Sequence, residues 1–72
     1  MENKAKKIGL LPHQQRVVEE RAELLDKIAK LHAFFKTSTF EDLEQEDQNL
    51  LNEQSQIMVN YADVLFQRIN RF

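Results

Sequence analysis

The sequence predicts an all-α fold: two long antiparallel helices joined by a short helix, assembled as a helical homo-oligomer. Three observations predict it. Val17, Leu24, Ile28, Leu31 and Phe35 recur at the three- and four-residue spacings of one helical face. A second run with the same period comprises Leu50, Ile57, Met58, Tyr61, Leu65, Ile69 and Phe72. Between them stands Thr37-Ser38-Thr39, residues that stop one helix and start another.

The elements follow in order. Residues 1–9 carry Lys4, Lys6 and Lys7 and end at Gly9, which reads as a flexible basic leader ahead of a single helical domain, 10–72. Leu10 and Leu11 are placed to staple the entry of the first helix by packing back on it. Pro12 suits its first position, where a backbone N–H would have no partner. The run then continues to about Lys36, whose cation suits the carbonyl end of the dipole. From Pro12 to Phe35 it makes a rod of about 36 Å. Val18, Leu25 and Phe34 add an apolar flank that one partner helix cannot cover as well. Ser38 with Glu41 fits a capping box, and Thr39 with Asp42 a looser one, so a short helix opens there with Phe40 and Leu43 on its buried side. The last helix covers about Glu46 to Arg71, its stripe widened by Leu51, Val64 and Phe66. Gln54 interrupts that stripe, where a buried amide would fix partner register at some cost in stability.

Seventy-two residues make one small domain of marginal stability. There is no cysteine, so neither disulfides nor thiolate metal sites can add to it. With 42% hydrophobic and 31% charged residues, the chain is neither disordered by composition nor a membrane protein. Its apolar runs are too short for a transmembrane helix or a signal peptide. A soluble intracellular helical protein is expected, with self-association supplying the core that one copy lacks. The net charge of −2 is uneven: the first sixteen residues are basic, and Glu41 to Asp47 is acidic. No basic face outweighs the acidic one, so specific DNA or RNA binding is not expected.

Catalysis is argued against by the absence of an HExxH pair, a Gly-rich phosphate loop or a serine elbow. His13 and His32 are nineteen residues apart on one helix, too far to share a metal within a chain. No enzyme, metal or cofactor is expected. Binding remains. His13, Gln14, Gln15 and Arg16 crowd a first turn whose backbone N–H groups and dipole favour anions. Arg16 adds a planar phosphate donor, and the His13 ring a stacking surface. The alternative is an exposed polar turn with no ligand. Glu23–Lys27 and Asp26–Lys30 have the spacing of salt bridges. Arg68 and Arg71 end the last helix, where cations suit the dipole. Tyr61 reads as a core residue with a wet hydroxyl.

The stretch LPHQQRVVEERAELLDKIAKLHAFF, then TFEDL, EDQNLL and VLFQRINRF, resembles a family of small phage proteins from Leu11 to Phe72. Members of that family act as sponges for cyclic oligonucleotide signals and so block the CBASS antiviral pathway. The resemblance implies a phage-encoded, non-enzymatic protein of the host bacterial cytoplasm, built as a hexameric trimer of dimers. It implies cyclic dinucleotides held between two protomers and cyclic trinucleotides held near the threefold. By the same resemblance His13 stands where the family has a tyrosine-like stacking ring, and Lys27 where it has a phosphate-binding lysine. Arg68 becomes the candidate for the trinucleotide site, with Arg71 in reserve. The rival reading is a helical scaffold or adaptor whose spare apolar flank grips another protein's helix. A weaker third is a nucleic-acid accessory protein using the lysine leader.

Overall fold

A computed structural model describes residues 9–72, of which Gly9 alone belongs to the expected leader. Three helices follow: α1 (Pro12–Phe34), α2 (Ser38–Glu41) and α3 (Gln45–Ile69). α1 and α3 lie side by side and antiparallel, with Arg21 opposite Ala62 and His32 opposite Ser55. The expected pair of long helices with a short connector is present.

Entry to α1 is set by local chemistry. Gly9 has φ 121°, a region that a Cβ would disfavour. The Leu11 N–H donates to Gln14 Oε1 at 2.9 Å, which is half of a capping box. Leu10 and Leu11 stay exposed, so the expected staple gives way to this amide contact.

At the other end of α1, Thr37 caps α2: its Oγ1 accepts from the Phe40 N–H at 3.2 Å and donates to the Phe34 carbonyl at 2.7 Å. The cap is therefore Thr37 and not Ser38. Its third residue onward is Phe40 rather than an acid, so the Ser38–Glu41 box does not form. Phe40 lies 5.0 Å from the Phe35 ring and meets Phe34 edge-on at 6.0 Å. These three rings plug the closed end of the hairpin. Phe34 is thus partly covered by its own chain, and Val18 is half-buried too, so of the expected flank Leu25 alone stays exposed. After Glu44, in extended conformation, α3 opens with Glu46 and Asp47 in its first turn, where the dipole favours them.

Gln48 fastens the connector. Its Nε2 lies 2.9 Å from the Phe40 carbonyl, 3.2 Å from that of Glu41 and 3.3 Å from that of Leu43. Two N–H donors are shared among three carbonyls, which ties the α2 turn to the first coils of α3.

The core is one thin row. Val17, Leu24 and Ile28 of α1 meet Ala62 and Leu65 of α3, with Met58 and Ile69 packed alongside. Leu65 is the most enclosed, at 1% exposure. The radius of gyration is 16.7 Å, against about 11 Å for a compact chain of this length. A single copy is a rod with little interior.

α3 differs from the expected stripe. Leu51, Met58, Leu65 and Ile69 face α1, whereas Leu50, Ile57, Tyr61 and Val64 stay exposed. Tyr61 is not a core residue of the protomer. Gln54 is also exposed, its amide 3.7 Å from Met58 Sδ. The buried polar residue is instead Ser55, one position on, whose Oγ lies 2.8 Å from His32 Nε2.

Candidate binding site

The antiparallel arrangement gathers four of the five candidate side chains. His13 and Arg16 start α1, and Arg68 and Arg71 lie at or just past the end of α3, so all four share the open end of the hairpin. Each is exposed. Lys27 is not with them: it stands in the second half of α1, about 16 Å along the axis from Arg16. The acidic residues Glu41, Asp42, Glu44, Glu46 and Asp47 lie at the closed end. The rod is therefore polarised, cationic at its open end and anionic at its turn.

The local electrostatics favour an anion at the open end less simply than the sequence suggests. The N–H groups of Gln14 and Gln15 both donate to the Leu11 carbonyl at 2.9 Å, so two of the expected first-turn donors are already used. Gln15 Nε2 is held by Glu19 Oε2 at 3.2 Å. What remains for a ligand is the His13 backbone N–H and ring and the guanidinium groups of Arg16, Arg68 and Arg71. Arg68 occupies the last turn of α3, where the carbonyl dipole stabilises its charge.

Of the two expected ion pairs, Lys30 Nζ reaches Asp26 Oδ2 at 3.1 Å, an exposed contact. Glu23–Lys27 does not form, which leaves the Lys27 ammonium extended into solvent. Among the described residues no group of three His, Cys, Asp or Glu side chains is arranged to hold a metal. The His32 ring is engaged with Ser55 and stacked on Phe35 at 6.0 Å.

Three polar residues in the helix interface were not singled out from the sequence. Arg21 donates from Nε to the Ala62 carbonyl at 3.2 Å and lies over the Phe66 ring at 5.0 Å, a cation–π contact. A charged residue inside the row Val17, Leu24, Ile28 was its only signal. Ser55 and Gln48 share one row of α3 with Ala62 and Ile69, seven residues apart, and that polar row was legible only as an interruption.

These features define a helical hairpin with exposed cations and an imidazole gathered at its open end. The family model for Sequestin matches residues 11–71, and the chain belongs to the Sequestin family. The name denotes a sequestering role, and no enzyme family is indicated. No characterised protein matches the chain, and neither does any solved structure. No helix of the described residues is long and apolar enough to cross a membrane.

Proposed function

We propose that the protein is a non-enzymatic sponge that captures cyclic di- and trinucleotide second messengers and thereby blocks CBASS-type antiphage signalling. It would be phage-encoded and act in the host bacterial cytoplasm as a homo-oligomer, a trimer of dimers. The observation that carries the reading is charge segregation in a sequestering family. A chain of net charge −2 collects His13, Arg16, Arg68 and Arg71 at one end and keeps Lys27 unpaired by Glu23. Charge-assisted hydrogen bonds from guanidinium or ammonium to phosphate supply affinity, and the His13 ring a stacking surface. No bond need break, because lowering the free signal by mass action suffices. A cyclic dinucleotide with two like linkages has twofold symmetry, so a site between two protomers offers each phosphate an equivalent cation.

The test is a panel of cyclic dinucleotides, cyclic trinucleotides and linear mononucleotides, read by thermal shift and calorimetry. Saturation at about 100 times Kd stabilises the fold by roughly 2.7 kcal/mol per site. Recovery of intact nucleotide after heat denaturation separates a sponge from a nuclease. No heat and no shift with any cyclic nucleotide would refute the reading. The exposed row Leu50, Ile57, Tyr61 and Val64 on α3 favours the adaptor reading as the rival; that reading requires the purified chain to stay small or to aggregate, and no nucleotide to stabilise it.

A further inference from the structure

We propose that Lys4, Lys6 and Lys7, ahead of α1, steer anionic nucleotides to the open end of the hairpin. They give that end its positive field and set the rate of capture, without being contacts of the bound ligand. The helices alone do not supply the field. In the open half of the rod, up to Glu23 on α1 and from Tyr61 on α3, the cations are Arg16, Arg21, Arg68 and Arg71. Glu19, Glu20, Glu23 and Asp63 match them one for one. Each arginine of the tip has a carboxylate within about 12 Å along the axis. An anion approaching from bulk meets the sum, which is zero, and meets the separate guanidinium groups only on arrival.

The closed half is adverse to anions. Asp26, Glu53 and the five carboxylates from Glu41 to Asp47 outnumber Lys27, Lys30 and Lys36 by four. Residues 9–72 therefore carry −4, and the three lysines less Glu2 bring the whole chain to −2. All of the compensating charge enters at one place. Gly9 precedes α1 at the open end. Lys7 is two residues from it and Lys4 five, so covalent geometry holds their Cα atoms within about 7 and 18 Å of Gly9 by any path. The lysines cannot reach the acidic turn at the far end of a rod 54 Å long. They turn a neutral open half into one of charge +2.

The steering of capture rests on the proposed nucleotide binding; the origin of the field does not. A protein that removes a signal by mass action competes with the signal's receptor, so its association rate matters as well as its affinity. Three charges acting on two phosphates across about 15 Å of water raise the encounter rate about fivefold at 0.01 M ionic strength, and less than about twofold at 0.15 M. The gain grows with ligand charge, to about tenfold at 0.01 M for three phosphates.

The field is tested first, with no nucleotide. Anionic and cationic soluble nitroxides enhance the relaxation of nearby amide protons according to the local potential. In the parent the anionic probe should act more strongly than the cationic one at His13–Arg16 and Arg68–Phe72. With Lys4→Gln, Lys6→Gln and Lys7→Gln that preference should vanish, and the cationic preference at Glu41–Asp47 should persist. A parent without the preference, or a triple variant that keeps it, overturns the inference. Capture is tested by stopped flow with a fluorescent cyclic dinucleotide. The triple variant should associate about fivefold more slowly at 0.01 M salt, converge on the parent at 0.5 M, and release the ligand at the parent's rate. Adding Glu19→Gln and Glu20→Gln should restore most of the lost rate, because charge and not a lysine contact is at issue. Faster release, or a rate that the second pair of substitutions leaves unrestored, makes the lysines ligand contacts and overturns the steering role. A parent that has the field and binds no cyclic nucleotide would sink the sponge reading and leave the origin of the field standing.

Discussion

Replacing Leu65 by alanine should remove most of what holds the hairpin shut. Leu65 is 1% exposed and sits among Val17, Leu24, Ile28 and Ala62, where α1 and α3 meet. Burying a leucine fully, and leaving a cavity when it is cut back, together put Leu→Ala losses at about 2–5 kcal/mol. The lower half of that range applies, because a core one row thick can relax into the space more readily than a closed interior. A loss of about 3 kcal/mol corresponds to a drop in Tm on the order of 12–24 °C for a domain this small. Urea titration followed by far-UV circular dichroism measures it. The titrations should be run at two protein concentrations, since an assembling chain has a concentration-dependent midpoint. A loss below about 1 kcal/mol at both concentrations would show that the α1–α3 row does not carry the fold, and the description of the core would be wrong.

Three further outcomes follow from named contacts. Lys27→Ala should weaken cyclic dinucleotide capture at least tenfold by calorimetry with unchanged helicity, because no ion pair to Glu23 is lost; equal affinity would remove Lys27 from the site. Gln48→Leu keeps the bulk and deletes the donor to Phe40, Glu41 and Leu43, so stability should fall by about 1–2 kcal/mol. Amide exchange should then accelerate in Ser38–Leu43 and not in the middle of α1. Ser55→Ala should cost about 1 kcal/mol, and a double-mutant cycle with His32→Ala should show the two losses to be coupled. Strict additivity would mean that the 2.8 Å contact contributes nothing.

The two long helices were legible because burial on one face imposes a 3.6-residue period, and Val17, Leu24 and Ile28 were read as the face that is buried. α3 was harder for a physical reason. It carries two apolar rows side by side, one through Met58 and Leu65 and one through Ile57 and Val64. Periodicity counts both, but only the packing of α1 decides which is inside. The cap at Thr37 was missed by one position, since adjacent hydroxyls satisfy the same rule and the choice depends on where the backbone turns. Ser55 and His32 could not be paired without the antiparallel register, because they are far apart in sequence. The site was partly legible: the cationic types were read residue by residue, whereas the gathering of His13, Arg16, Arg68 and Arg71 is a product of topology. The expected donors of the α1 first turn were overcounted because the Leu11 carbonyl accepts from two of them.

Arg68 has a structural role as well as a proposed ligand role, and one substitution separates them. In the last turn of α3 its charge is favoured by the carbonyl dipole, an exposed effect worth about 0.3–1 kcal/mol. In the proposed function its guanidinium meets the phosphate of a cyclic trinucleotide by charge-assisted hydrogen bonds. Arg68→Met keeps the aliphatic stem and deletes the charge. Helicity should then be unchanged and stability fall by no more than about 1 kcal/mol, while trinucleotide affinity falls tenfold or more in calorimetry. Equal trinucleotide affinity in parent and variant would take Arg68 out of the proposed site, and would move the weight of trinucleotide recognition to Arg71 at the same end of the rod.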